Sequence, residues 1–392
     1  MPQSAARLDR LPPYIFAVLN ERLRTMEAEG IDVIRLDIGS PDMPPPDVVV
    51  EKLYSAAQNP DNHGYAGYRG LPAFREAVAR YYQRRFNVII DGDKHVLPLI
   101  GSKEGIVNLF LAYVDQGDIV LIPDVGYPSY AQGARLAGAD IYWLPVEQKN
   151  GYKPDYSRVP SEVAKAAKLL WLNYPNNPTG AVADLDFYRR SIEFCAENDI
   201  LLASDNPYVD LTFDGYVAPS ALEIEGALDH VVEFVSLSKS HNMAGWRLGA
   251  AVGSPKALQT LLRIKSNMDS GHFNAIYEAG ITALDDVPQS WIDERNQIYQ
   301  RRRDRMLAVL PELGLEAEKP AGSLYIWARP LTMSANTYVE QALIDARVSL
   351  APGGAYGPGG EDYLRISLGT PDDRFDEALH RLKVWYSTKQ YA

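Results

Sequence analysis

Lys239 follows Val235-Ser236-Leu237-Ser238 at the exit of an apolar strand and stands eight residues before Arg247. A neighbouring cation and desolvation both disfavour an ammonium group, so a lysine in this setting has reason to be a neutral amine, a nucleophile toward aldehydes. Three other segments put polar groups directly after apolar runs. Gly101-Ser102-Lys103-Glu104-Gly105 opens a helical pattern, and the free N–H groups and dipole of a helix start suit a phosphate, with Gly101 permitting close approach. Asn173-Tyr174-Pro175-Asn176-Asn177-Pro178-Thr179-Gly180 is stiffened by two prolines, which would aim the Asn177 amide at a fixed acceptor. Ser204-Asp205-Asn206-Pro207-Tyr208 places a carboxylate just past a strand, where it is costly unless paired. Each segment taken singly also has a plain structural account: a solvated lysine, capping by Ser102, a rigid turn, an Asx turn at Asp205.

Together the four segments suit one ligand, pyridoxal phosphate. Lys239 would meet its aldehyde and Asp205 its pyridine nitrogen, while the Tyr208 phenol could donate to the ring hydroxyl. Ser236 and Arg247 are available to the phosphate, Arg247 being planar and permanently charged. At ~3 Å and an effective dielectric of about 20, the gross attraction between a carboxylate and a pyridinium is about 5 kcal/mol, enough to keep the ring protonated as an electron sink.

These residues need a sheet to converge on. Short β-branched runs at Val96–Ile100, Ile119–Ile122, Leu169–Leu172, Ile200–Ala203, Val231–Val235 and Leu248–Val252 alternate with amphipathic stretches such as Glu104–Tyr113 and Leu185–Glu197. That alternation predicts an α/β fold with a mainly parallel sheet flanked by helices, and such sheets collect ligands at the carboxyl ends of their strands. Ser102 fits an N-cap of the first of these helices and Gly117 a stop beyond it. Helical patterns follow at Pro255–Met268, Phe273–Leu284 and Gln289–Leu310. Strand-like Ser323–Trp327 and Tyr363–Ser367 then frame a helix near Thr337–Asp345. The expected division is an N-terminal arm with part of a small domain over 1–45, a large cofactor-binding domain over 46–287, and a smaller α+β domain over 288–392 that includes the connecting helix.

With 39 Lys and Arg against 51 Asp and Glu, the net charge of −12 disfavours nucleic acid and anionic membranes as partners, so an anionic substrate needs local arginines. Cys195, the only cysteine, lies in a helical pattern and reads as core packing. The first residues lack the apolar stretch of a signal peptide, which makes a cytoplasmic location the expectation. No metal site is expected.

Asn177-Pro178-Thr179-Gly180 with Ser236-Leu237-Ser238-Lys239 strongly resembles the fold type I pyridoxal-phosphate enzymes, specifically the class I/II aminotransferases, over about Leu11 to Leu382. The resemblance implies that Lys239 tethers the coenzyme and acts as base, that Asp205 pairs with the pyridine nitrogen, and that Asn177 and Tyr208 bond the ring oxygen. It matches Tyr127 to the aromatic stacked on the ring, and Ser102, Lys103, Ser236 and Arg247 to phosphate and near-substrate positions. Tyr65 matches the tyrosine that reaches a neighbouring subunit's phosphate, which implies a homodimer with shared sites. Arg365 and the Gly39 backbone match the grip on the substrate α-carboxylate. The implied reaction moves an amino group from an L-amino acid to a 2-oxo acid, with 2-oxoglutarate as the expected acceptor.

Within that class, Leu11-Pro12-Pro13-Tyr14-Ile15-Phe16 and Lys265-Ser266-Asn267-Met268-Asp269-Ser270-Gly271 are similar to the bacterial and archaeal LL-diaminopimelate aminotransferase group. There the tyrosine matched by Tyr14 lies near the distal end of the substrate, and the lysine matched by Lys103 approaches a carboxylate. The chain departs from the group at Tyr68 and Arg69, where such enzymes tend to carry a glutamate. A broader aspartate, alanine or aromatic aminotransferase is the alternative, and a carbon–sulfur lyase shares the fold. A regulator would need a DNA-binding module before Leu36, and a nicotinamide-dependent dehydrogenase would need a Gly-x-Gly-x-x-Gly after its first strand.

Overall fold

A computed structural model describes residues 2–390. In chain order the strands are β1 (Ile34–Arg35), β2 (Val96–Leu99), β3 (Ile119–Pro123), β4 (Asp140–Leu144), β5 (Ala167–Leu172), β6 (Leu201–Asp205), β7 (Val231–Ser236), β8 (Gly249–Gly253), β9 (Leu315–Ala317), β10 (Tyr325–Pro330), β11 (Val348–Ser349), β12 (Ala351–Pro352) and β13 (Leu364–Ser367). The β-branched and leucine runs of β2 to β8 make a seven-stranded sheet in the order β2-β8-β7-β6-β5-β3-β4. β3 to β7 pair in parallel and β8 is antiparallel to both of its neighbours, as a mainly parallel sheet requires. Carboxyl ends of β2, β3, β5, β6 and β7 therefore share one edge with the amino end of β8. That polarity brings Arg247, two residues before β8, to the same edge as Lys239.

The inner strands of the large sheet are covered on both faces. Leu170, Leu202 and Val235 belong to an apolar cluster on one face, while Leu169, Trp171, Ala203 and Phe234 pack in another, the alternation that a sheet buried on both faces produces. Cys195 is buried within the first cluster, as its sequence setting suggested. Helix Leu185–Glu197 forms over the expected residues, started by Asp184, whose carboxylate accepts from Phe187 N at 2.7 Å.

The tail supplies most of a second apolar cluster, which also takes in Ile34 and Leu36 and, from the middle of the chain, Tyr208, Leu211 and Phe213. β12-β13-β10-β9 form an antiparallel sheet, and β1 pairs in parallel with β11, so the chain's beginning packs with its end. The helix Gln289–Val309 lies in the chain between the large sheet and the antiparallel one, and its Tyr299 and Met306 belong to this second cluster with Tyr325 and Leu364.

Two local expectations are corrected. Ser102 is the first helical residue rather than the N-cap: Gly101 holds the cap position with φ +75°, a left-handed conformation that glycine adopts without a Cβ penalty. The same helix ends at Tyr113, and Gly117, with φ +87°, turns the chain toward β3 instead of stopping the helix. β4 was missed because it is an edge strand: its residues are mostly half-buried and lack a pure apolar run. None of the described helices is long and apolar enough to cross a membrane.

Candidate active site

The carboxyl edge of the large sheet, residues of the N-terminal segment, Tyr325, Tyr356 and Arg365 line a cavity of about 460 Å³. Twelve side chains or backbones singled out from sequence line it: Tyr14, Gly39, Ser102, Lys103, Tyr127, Asn177, Asp205, Tyr208, Ser236, Lys239, Arg247 and Arg365. The thirteenth, Tyr65, stands outside it, 90% exposed on the surface.

Lys239 sits on the one-turn helix Leu237–Ser240, whose N-cap Ser236 accepts from Ser238 N. Its ammonium donates to the carbonyl of Gly39 across the cavity. Burial of the Nζ, with the charges of Arg365 and Arg247 added, pushes its pKa down to about 7. Losing the proton therefore costs this amine far less than it costs an exposed lysine.

Asp205 ends β6 inside the protein. Its Oδ2 accepts from Tyr130 Oη at 2.6 Å, while Oδ1 has no partner. Burial drives its pKa up to about 7, opposed by the Tyr130 hydrogen bond. A buried carboxylate with one open oxygen, facing a cavity, is built for a further donor.

Asn173 ties two of the loops together, donating from Nδ2 to Asp205 O at 2.7 Å and accepting from Asn177 N at 2.8 Å. Asn177 Oδ1 in turn accepts from Arg365 Nη1 at 3.0 Å. Arg365 was expected to need an anion. Its acceptors in the protein are that amide and the Asp37 carbonyl at 2.6 Å, and Nε has none. Tyr325, Tyr356 and Phe16 pack their ring faces around the guanidinium, at 4.0, 5.0 and 5.7 Å. A buried guanidinium without a carboxylate leaves its anion to a ligand.

Tyr208 and Tyr325 share a hydrogen bond at 3.0 Å, and Tyr325 also donates to Gly39 O at 3.4 Å. At the other end, a side chain at Gly101 would strike the Arg247 guanidinium, so the glycine keeps a backbone cradle open beside that cation. Lys103 Nζ lies 4.5 Å from the centre of the Tyr14 ring, and burial lowers its pKa, helped by Arg247. Tyr127 meets Tyr130 edge to face, with ring centres 5.7 Å apart.

Tyr130, Tyr325, Tyr356 and Asn173 escaped the sequence reading. Tyr325 and Tyr356 sit in a strand and a glycine-rich loop that read as structure, whereas Tyr130, one turn after Tyr127 on the same helix, could have been found by spacing. Arg69 does not enter the cavity; its guanidinium bonds the carboxylate and carbonyl of Asp93 at the surface.

The family model for aminotransferase class I and II matches residues 31–382. An LL-diaminopimelate aminotransferase of Moorella thermoacetica is 46% identical over 97% of this chain and 98% of the relative, and one from Aquifex aeolicus is 42% identical over 96% and 97%. Among solved structures, apo-BacF from Bacillus subtilis superposes with a TM-score of 0.94 at 35% identity, covering 98% of both chains. A probable N-succinyldiaminopimelate aminotransferase from Thermus thermophilus gives 0.88 at 36%, covering 95% of this chain and all of that one. Members of this family are in general pyridoxal-phosphate enzymes of fold type I. Lys239 and Asp205 at the edge of the large sheet share the cavity with Arg365 of β13, and the chain belongs to the class I and II aminotransferases.

Proposed function

We propose that this aminotransferase binds pyridoxal phosphate in the cavity and moves an amino group between LL-diaminopimelate and 2-oxoglutarate. The observation that carries the coenzyme assignment is that the buried Lys239 amine and the open Oδ1 of Asp205 line one cavity. The cradle at Gly101 and the Arg247 guanidinium suit the phosphate, and Tyr208 and Asn177 suit the ring oxygen. When bound, the coenzyme supplies an aldehyde for the amino group and a ring that takes up the electrons of the Cα–H bond.

The chain's own residues do the rest. Arg365 binds the substrate carboxylate as a fork, with Asn177 and the Gly39 backbone fixing its tilt. Asp205 would pair with the ring nitrogen through its open Oδ1. Lys239, its ammonium form disfavoured by burial, would take the proton from the substrate Cα as general base. The tyrosines packed around Arg365 keep water from the carboxylate and strengthen the grip.

The diaminopimelate assignment rests on relatives of that name covering nearly the whole chain. A broader specificity is favoured by Tyr68 and Arg69, which replace an expected acid, although Arg69 is engaged by Asp93. Tyr65, exposed in the single chain, supports a homodimer in which it reaches the partner's phosphate. The division at 46–287 and 288–392 belongs to the same reading. Single-turnover reactions of the purified enzyme with LL-diaminopimelate, glutamate, aspartate, alanine and aromatic amino acids test the substrate. A clear rate advantage for diaminopimelate supports the proposal, and an advantage for aspartate or an aromatic acid overturns it. Pyruvate and ammonia formed without an oxo acid would mark a lyase.

A further inference from the structure

The helix that carries Lys239 is one turn long, and its last carbonyls, those of Lys239 and Ser240, have no following turn to bond them. Arg295, 3% exposed on the connecting helix Gln289–Val309, supplies the donors. Nη1 donates to Lys239 O at 2.8 Å and to Ser240 O, and Nη2 donates to Asp210 O and to Asn296 Oδ1, both at 2.7 Å. Asn296 Nδ2 donates to the same Asp210 carbonyl at 3.0 Å. The Trp291 ring lies 5.6 Å from the guanidinium carbon and stacks on His241.

The acceptors of Arg295 are carbonyls and an amide, so a cation is buried without a carboxylate. Arg303 on the same helix shows the ordinary arrangement, with no exposure and ion pairs to Asp214 and Asp304, both at 2.7 Å. Burying Arg295 without such a pair is costly, and its pKa is pulled down to about 10. What the cost secures is the main chain beneath Lys239.

We infer that Arg295 is a positioning residue for Lys239, pinning the backbone of the catalytic turn to the connecting helix while the lysine Nζ reaches Gly39 at the far side of the cavity. The inference rests on the reading that Lys239 tethers the coenzyme. Release of the clasp loosens the turn, lets water reach Nζ and misplaces it relative to the substrate Cα. Around the cavity that Nζ enters stand Arg365 on β13, Arg247 before β8, Lys103 after β2, the carboxyl of Asp205 and the phenols of Tyr14, Tyr127, Tyr208, Tyr325 and Tyr356. Behind it, Arg295 is faced by His241, Asp210 and Tyr299. Burial holds His241 down at about 4, so it stays neutral above pH 6 and does not blur the lysine's titration.

The test compares holoenzymes of the wild type, Arg295→Met, Arg295→Lys and, as a buried control on the same helix, Arg303→Met. Both methionine variants are expected to lower the melting temperature. Only Arg295→Met should slow the single-turnover half-reaction, roughly ten- to a hundredfold, and move the pH midpoint of the visible coenzyme absorbance upward by about one unit. Arg295→Lys, a point charge in place of a fork, should recover part of both. Wild-type rate and midpoint in Arg295→Met, an equal midpoint shift in Arg303→Met, or failure of both Arg295 variants to fold overturns the inference in favour of a structural role. A wild-type protein without visible absorbance would instead overturn the coenzyme reading beneath it.

Discussion

Glu233 on β7 and Asp205 at the end of β6 lie one rung apart in the large sheet, Ser204 facing Glu233 and Asp205 facing Phe234, so their side chains point to opposite faces. Both are buried, and burial raises the pKa of both. Glu233 is saturated: Tyr82 Oη and Ser220 Oγ each donate at 2.7 Å, Ala221 N at 3.1 Å and Ser204 Oγ at 3.4 Å. Asp205 has one donor and one open oxygen. One face of the sheet uses a carboxyl to join a helix and a loop to a strand; the other leaves its carboxyl short of a partner where the cavity begins. Between these two acids, incomplete satisfaction marks the one at the cavity, where burial and the direction of the pKa shift are the same for both.

Substituting each acid in turn gives the sharpest break. Asp205→Ala should lower the half-reaction rate by about 10³-fold or more, because the roughly 5 kcal/mol gross attraction for a ring cation is gone. Glu233→Gln should leave the rate of the folded enzyme within about twofold. Equal losses in stopped-flow absorbance traces would erase the distinction.

Stability should report the reverse order. Glu233→Gln turns an amide donor toward hydroxyl and backbone donors, and chemical denaturation should show a loss of about 2 kcal/mol. Asp205→Ala should cost the apoprotein less than that.

The pH dependence of apoprotein melting sharpens the comparison further. The Asp205 pKa is raised to about 7 in the folded state, so that state holds a proton the unfolded chain has released, and stability falls as pH rises from about 4 to 7. Lys239, lowered to about 7, works the other way: the unfolded chain binds the extra proton, and stability climbs from pH 7 toward 10. Asp205→Asn should flatten the first limb of a melting-temperature profile and keep the second. A profile unchanged by the substitution would contradict the raised pKa.

The smallest effect is expected from Tyr130→Phe. Removing the single donor of Asp205 should lower the half-reaction rate about three- to tenfold, in line with one hydrogen bond to a charged group, and raise the acidic limb of its pH profile. Wild-type kinetics in this variant would mean that the Tyr130 contact is packing alone.

Much of this was legible beforehand because it is local. A lysine at a strand exit, an aspartate past an apolar run and a proline-stiffened Asn-Pro-Thr-Gly turn each declare themselves within a few residues, and the strand and helix alternation sets the edge on which they meet. Tyr325 and Arg295 were not legible. Tyr325 lies in a run that reads as core strand, and Arg295 sits in a charged helical pattern where arginines usually face water. The N-cap at Gly101 was misplaced by one residue because capping preference favours serine, whereas the left-handed turn there and the nearby Arg247 select glycine.

The amino-acid sequence by itself determined six of the seven strands of the large sheet, its mainly parallel character and most of the groups at its carboxyl edge, since hydrophobic period and turn chemistry act over short stretches. Only the tertiary structure decided which of those groups are left unsatisfied. The open oxygen of Asp205, the carboxylate-free guanidinium of Arg365 and the clasp of Arg295 on the lysine's own carbonyl depend on segments 50 or more positions apart meeting in the absence of water.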